Sequence, residues 1–566
     1  MTRLDRLALG GAAAIPWLFI WQGLDFTDQG YSLTNYRCFL RHPEATADSG
    51  ALWLTNLIGA LWDAAFGGWG VVGMRALWAL CLSVGMLLAF RLLRELTSER
   101  AAALAVLVSS AFLANRRETW FSYNTSTSLL LVAAAFCLIS GIINRRPKLL
   151  FGAGVWIGVL PFARFPNVLA VALLAAPAFV ALIDAERRPR LLRDLGLTAL
   201  GVAAGVAGTL ALIYLRGDAR LVFDAIADLF APSAAKAGYG TTTLLEQVLS
   251  DHGRALAAGL AVCVVGALLA RLLSYDNPYG TWILLVSVAS LMIWGLYKTD
   301  EYWRFFVVGT TYWVLGAVAC GLWKLSIAVR VACFAALVVV FIAPLGSGNG
   351  IKNAHMGLWL GLPLLLALLF ALQAPRVWGQ GFKLALLAGV VLLGEAGHRA
   401  AVYTYRDAPR ARLVARVNHP QLRAQFTTPA RAQVVQEVLD QLKKRVKRGD
   451  YLLAYEGTPL LYYLTKTRPY LNRPWPMSAA MSFGLGPVVQ QAPKLTGCLP
   501  VAVLTTKTTR TFGWPEVNNR LEQRKPIQQA RKAIRSFLRR YDYSQSWRND
   551  FFVIVEPPPD KRSRCR

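Results

Sequence analysis

The sequence predicts an α-helical polytopic membrane protein of about thirteen transmembrane helices with a C-terminal soluble α/β domain. Three observations carry that expectation. Apolar runs approaching the roughly 30 Å thickness of a bilayer core recur, with short polar breaks, up to about residue 400. Lys and Arg concentrate in alternate breaks, and beyond residue 400 the pattern changes to helices alternating with short strands.

The first span, 7–24, follows Arg3 and Arg6, and no small-residue cleavage site follows it, so it reads as an uncleaved helix. The remaining spans are 71–93, 101–114, 127–143, 149–163, 167–183, 195–215, 254–273, 281–297, 303–322, 326–343, 356–372 and 384–398. An odd count puts the two termini on opposite sides of the membrane. With a cytoplasmic N-terminus, the cytoplasmic breaks hold Arg94, Arg100, Arg145, Arg146, Lys148, Arg187, Arg188, Arg190, Arg193, Lys324, Arg330, Arg376 and Lys383. The opposite breaks hold fewer: Arg116, Arg117, Arg164, Arg304 and Lys352, each beside aromatic, Pro, Gly or Asn residues, as expected of cations placed for a ligand. The chain is thus expected in a bacterial inner membrane, with residues 1–400 as the membrane domain and 401–556 as a periplasmic domain.

Within the second part, 429–448 reads as an amphipathic helix opened by Pro429, 450–455 as a strand, 459–464 as a short helix, 500–504 as a strand, 518–541 as a basic helix and 550–555 as a last strand. About 165 residues suffice for a separate core. The tail 557–566 opens with three prolines and is basic, as disordered termini are. The net charge of +29 lies mostly outside the spans, with thirty Lys and Arg against eleven Asp and Glu after residue 400. Such a surface attracts anionic lipid headgroups or phosphorylated substrates, whereas a domain on the outer face does not meet nucleic acid.

The eight cysteines show no metal-ligand spacing. Only Cys38, Cys498 and Cys565 fall on the outer side, where a Cys38–Cys498 disulfide is one arrangement the compartment permits. No Asp-x-Asp, His-x-x-x-His or Cys-x-x-Cys is present. The Gly-rich stretch 346–350 lacks the Gly-Lys-Ser/Thr ending and follows a span, which excludes a P-loop.

The segment Asp25-Phe26-Thr27-Asp28-Gln29-Gly30-Tyr31, with Tyr36 beyond it, places two carboxylates just past the first span. The apolar, aromatic stretch 51–62 is too short to cross a bilayer and suits a helix lying along the interface. This acidic turn and interfacial helix, between 25 and 70, resemble the first outer loop of the GT-C superfamily of membrane glycosyltransferases, which includes protein O-mannosyltransferases and aminoarabinose transferases. Segments 115–125, 163–167 and 344–353 are similar to other outer loops of that superfamily. Gln29 stands where the family's Asp-Glu form has Glu.

The resemblance implies an inverting transferase that moves a sugar from a polyprenyl-phosphate-linked donor to a hydroxyl of a glycan, lipid or protein acceptor, with Asp28 as base and Asp25 as accessory. Arg forks match phosphate geometry, so Arg164, Arg304, Lys352, Arg116 and His252 are the candidates for the donor phosphate. Tyr31, Tyr36, Tyr123, Asn124 and Asn349 are the candidates for the sugar. The scheme asks for neither a metal ion nor an organic cofactor. The alternative is a transporter or flippase of lipid-linked sugars, which also wants outer cations and many spans, but no pair of matching broken helices is evident in two halves and a soluble domain follows the last span.

Overall fold

The structure is a computed structural model that describes residues 2–230, 241–272, 278–298, 303–346, 349–371, 381–476, 485–517, 521 and 525–559. The membrane part begins with α1 (Arg3–Ala14), continued by a 3-10 turn (Ile15–Phe19). Two helices of the first loop follow, α2 (Asp28–Phe39) and α3 (Trp53–Phe66), then α4 (Gly70–Leu96), α5 (Glu99–Leu113), α6 (Tyr123–Ile143) and α7 (Pro147–Ala163). After a 3-10 stretch (Phe165–Leu174) come α8 (Ala175–Ile183), α9 (Leu191–Leu215), α10 (Ala219–Leu229), α11 (Thr241–Leu272) and α12 (Pro278–Lys298). The bundle ends with α13 (Trp303–Ala319), α14 (Ile327–Ile342), α15 (His355–Ala371) and α16 (Gly381–Val402).

Over the described residues, the stretches expected to span fall largely on helix, the first ending at Phe19 rather than Leu24. Seven helical stretches among the described residues are long and apolar enough to cross a bilayer by length and composition, and three more apolar helices are shorter.

The first span starts earlier than its apolar run suggests, at Arg3, because Thr2 and Asp5 form a reciprocal capping box. It breaks at Pro16, whose missing N–H leaves the Ala12 carbonyl without its helical donor. The Ser110 hydroxyl donates to that carbonyl at 2.7 Å, and Ser83 donates to Ala13 at 2.6 Å. In a membrane these two bonds replace what water would otherwise provide. α7 and α9 meet through Gly154 and Gly158 on one helix and Gly201 and Gly205 on the other. A Cβ at Gly154 would stand 2.0 Å from the Thr198 carbonyl oxygen, so the pair packs backbone to backbone as small-residue interfaces do.

The C-terminal domain contains α17 (Pro429–Arg445), α18 (Leu460–Thr465), α19 (Gly486–Thr496) and α20 (Lys525–Arg540) around a sheet. Its strands are β3 (Tyr451–Ala454), β4 (Arg468–Pro469), β5 (Val501–Thr505), β6 (Ser544–Arg548) and β7 (Phe552–Glu556), in the order β4-β3-β5-β7-β6. β1 (Ala415–Arg416) and β2 (Phe426–Thr427) form a separate antiparallel pair. β3 is parallel to β4 and β5, while β7 is antiparallel to β5 and β6.

Side chains alternate along each central strand. Leu452, Ala454, Val501, Val503, Phe552 and Ile554 join the core that is continuous with the bundle. Leu453, Tyr455, Ala502 and Val555 face a second core under α19 and α20. The sheet therefore has one face toward the membrane helices and one away from them.

Three expectations change here. The break between the expected spans 195–215 and 254–273 is not simply a loop: α10 and the first part of α11 occupy most of it, so His252 lies inside a helix. β6 and α19 went unpredicted: Ser-Gln-Ser-Trp-Arg has no apolar alternation and becomes a strand only by pairing with β7 at the sheet edge. Cys38 is a buried free thiol whereas Cys498 is disulfide-bonded, so these two do not pair.

Candidate active site

Asp28 opens α2, half-buried, with 30% of its side chain exposed. Asp25, fully buried, accepts from the Thr27 amide at 3.0 Å, the Thr27 hydroxyl at 2.7 Å and the Gln29 amide at 2.8 Å. Its oxygens are thus spent on the otherwise orphaned N–H groups at the helix start. Of the two acids, Asp28 is the one with an accessible carboxylate.

The loop is held from two sides. From α4, the buried Arg75 donates to the carbonyls of Gln22 at 2.6 Å and Gly23 at 2.7 Å and to Gln29 Oε1 at 3.2 Å, which gives Gln29 a neutral oxygen suited to a guanidinium. From the soluble domain, Leu460 N donates to the Phe26 carbonyl at 3.1 Å and Pro459 O accepts from Thr34 Oγ1 at 2.9 Å. A Cβ on Gly30 would stand 2.2 Å from Leu460 N, so the glycine after the acid is what lets α18 lie against α2.

The segment directly after α16 completes the surroundings of Asp28. The Tyr405 hydroxyl donates to Asp28 Oδ2 at 2.6 Å, and Arg406 Nη2 lies 2.8 Å from the same oxygen. Arg406 also reaches the Thr27 hydroxyl and stands 3.9 Å from Asp25. Its backbone, at φ 52°, is pinned by Arg431, which donates to the Arg406 carbonyl at 3.0 Å, bonds Leu24 O and Trp514 O, and pairs with Asp407 at 2.9 Å. Asp407 in turn accepts from Leu24 N and from the Thr427 hydroxyl, both at 2.8 Å. Burial raises the proton affinity of the Asp28 carboxyl above the ordinary carboxylate range; Arg406 pulls against it and the neighbouring Asp25 charge adds to it.

A second polar group adjoins this one. Glu118 accepts from Ser122 Oγ at 2.8 Å and Asn124 Nδ2 at 2.5 Å, with Arg117 Nε 3.8 Å away. Burial alone would raise the Glu118 carboxyl, but Arg117, His355 and the Asn124 hydrogen bond override it and hold it below the usual range. Arg117 Nη2 reaches Asn353 Oδ1 at 3.5 Å, and Arg117, Glu118, Asn124 and His355 line one small cavity. Nearby, Trp120 packs edge-on to Tyr405 at 5.1 Å and donates to Ser32. In the same first loop, burial pushes the Asp48 carboxyl up to about 7, against the pull of Arg473.

The expected site residues fall in different places. Arg116 points into the bundle, where Glu395 pairs with it and its guanidinium covers Phe112 at 3.8 Å and Trp303 at 4.6 Å. The adjacent Arg117 is the one turned to the polar cavity. Arg164 is buried and donates to the carbonyls of Ala343 at 3.1 Å and Leu345 at 3.4 Å. Arg304 lies in the first turn of α13 with its guanidinium 5.5 Å from the Phe305 ring. Lys352 is exposed on the 3-10 turn Gly350–Ala354, and Asn349 precedes that turn without a side-chain capping hydrogen bond. His252 is buried against Phe341 and shares a 3.0 Å hydrogen bond with Tyr312.

Tyr31, on α2, lies 6.1 Å from the Trp475 ring. Tyr36 is buried and donates to the Phe121 carbonyl at 2.9 Å, and Tyr123 is half-buried at the start of α6. Tyr405, Arg406, Glu118 and His355 received no role from the sequence, which counted Arg117 among the outer cations but not among the phosphate candidates. The one signal for the first two was their position at the boundary where the last span ends.

Residues 50–214 match the family described as dolichyl-phosphate-mannose-protein mannosyltransferase. No curated protein matches the chain in sequence. Two solved structures of ArnT from Cupriavidus metallidurans, one bound to undecaprenyl phosphate and one in the apo state, are similar at 13% and 12% identity with TM-scores of 0.43 and 0.42, covering 97% of both chains in each case. That likeness is too loose to equate residues, and the transporter alternative finds no favour in the family match. The segment that matches the mannosyltransferase family, 50–214, runs through the interfacial helix and the first outer loops.

Proposed function

We infer that the protein transfers a sugar from a polyprenyl-phosphate-linked donor to an acceptor hydroxyl on the periplasmic face of a bacterial inner membrane, with inversion at the anomeric carbon. Asp28 takes the proton of the acceptor hydroxyl as its oxygen attacks that carbon. The bond from the carbon to the phosphate oxygen breaks, and polyprenyl phosphate leaves with the bonding electrons. The reading is supported above all by the Asp28 carboxylate, accessible to solvent yet oriented through one oxygen by Tyr405 and Arg406. Its raised proton affinity suits a base, since proton transfer is most efficient when the base is not too weak.

Arg164, Arg304 and Lys352 remain the proposed partners of the leaving phosphate, joined by Arg117, while Arg116 is assigned to Glu395. No step is routed through a metal ion or cofactor. The carriage of donors on dolichyl phosphate in the matched family and the undecaprenyl phosphate bound to ArnT suggest the donor class. Binding of polyprenyl phosphate to the purified protein tests it: Arg164→Gln and Arg304→Gln should each weaken affinity by about 1.5–3 kcal/mol if a charged hydrogen bond is lost. Unchanged affinity in both would remove these residues from the site. Orientation is tested by a cysteine at the exposed position Asp440, which should react with an impermeant thiol reagent before the inner membrane is opened.

A further inference from the structure

We propose that the C-terminal domain carries a second binding site, a groove between α19 and α20 that holds an anionic glycan strand. The site goes beyond the transferase reading and rests on it only for the periplasmic placement of this domain. α20 is strictly two-faced. Ile527, Ala530, Ile534, Phe537 and Leu538 are buried against the sheet, whereas Lys532, Arg535, Ser536, Arg539 and Arg540 are exposed on the opposite side. Those positions follow the i, i+3, i+4, i+7, i+8 spacing of a single helical stripe. The segment Lys525–Arg540 contains no Asp or Glu, and among the described residues no carboxylate pairs with Lys532, Arg535, Arg539 or Arg540. An unneutralised stripe of this kind repels itself and persists at little cost only where an anion or solvent compensates it.

The groove is open to solvent and offers about 300 Å³, at the small end of the usual size range of ligand sites. Lys532 and Arg540 provide its charge, Gln490, Gln529 and Ser536 provide hydrogen-bonding groups, and the Tyr541 ring lines its end beside Arg540. Amides and a hydroxyl alongside an aromatic face match sugar hydroxyls and C–H surfaces, and the two cations match carboxylates or phosphates on the same strand.

The strand alternation decides between a glycan and a lipid surface. Leu453, Tyr455, Ala502 and Val555 underlie α19 and α20, and they are on the sheet face opposite the one that joins the bundle. The stripe therefore faces away from the membrane helices, which favours a polymer approaching from the periplasm over headgroups of the same bilayer.

The test measures binding of a fluorescent polygalacturonate oligomer to the full-length protein in nanodiscs, with neutral dextran as comparison. Polygalacturonate should bind and dextran should not. Lys532→Glu/Arg540→Glu should weaken binding at least about tenfold, while the charge-matched Lys443→Glu/Lys444→Glu on exposed positions of α17 should change it less than about twofold. Gln490→Ala/Tyr541→Ala, which keeps every charge, should weaken polygalacturonate but leave inorganic polyphosphate unaffected. Asp28→Asn should leave all binding intact, so loss of transferase activity and loss of this site are read separately. Equal losses in the two charge variants, polygalacturonate affinity unchanged in both groove variants, or binding only to phosphatidylglycerol vesicles would each overturn the proposal. Thermal unfolding within a degree or two of the parent shows that a loss is not misfolding.

Discussion

Replacing Asp28 by Asn separates basicity from geometry. The amide oxygen can still accept from the Tyr405 hydroxyl, now at 2.6 Å, and from Arg406 Nη2, now at 2.8 Å, so the first turn of α2 should keep its place. What vanishes is the proton acceptor. General-base catalysis contributes about 10²- to 10⁴-fold, so turnover should fall at least about a hundredfold, or roughly 2.7 kcal/mol on the barrier. Donor affinity should stay within about twofold, because the residue acts on the acceptor.

The assay follows release of polyprenyl phosphate from a lipid-linked sugar, with extracted envelope glycan as acceptor, across a pH series. The base works only when ionised, so activity is lost as pH falls through its folded pKa. Burial raises that value, which puts the acid limb above the usual carboxylate range. Full turnover in Asp28→Asn would refute the assignment, and an inactive Asp25→Asn beside an active Asp28→Asn would exchange the two roles.

Tyr405→Phe removes a hydrogen bond that favours ionised Asp28, so the acid limb should move to higher pH; an unmoved limb would mean the hydroxyl does not act on Asp28. Gly30→Ala places a methyl 2.2 Å from Leu460 N and should cost about 1–3 kcal/mol, read as a lower unfolding temperature, with an unchanged temperature counting against the tight α2–α18 contact. Arg116→Met alone leaves Glu395 buried and unpaired and should destabilise by about 3–5 kcal/mol, while Arg116→Met/Glu395→Leu should recover much of it. If the double variant is no better than the single one, the pair is not what Arg116 serves.

The sequence by itself determined what depends on local pattern. Apolar runs of membrane length, a strand-helix alternation after the last span and the acid-glycine-aromatic turn at 28–31 each carry their information within a dozen or two residues. The expected spans therefore fall largely on helix over their described residues, and the soluble domain's α17, β3, α18, β5, α20 and β7 appear near their expected places. Edge strand β6 was illegible because its residues lack a pattern of their own and gain one only by pairing with β7. The different burial of Asp25 and Asp28, the opposite fates of Arg116 and Arg117, and the partnership of Asp28 with Tyr405 and Arg406 were decided by tertiary structure. Residues 28 and 405 are separated by nearly the whole membrane bundle in sequence, and adjacent arginines at a helix end point in directions set by what packs around them. No local periodicity encodes which of two neighbouring side chains meets Glu395 and which faces the cavity; that choice follows from where α16 and the 350–354 turn come to lie.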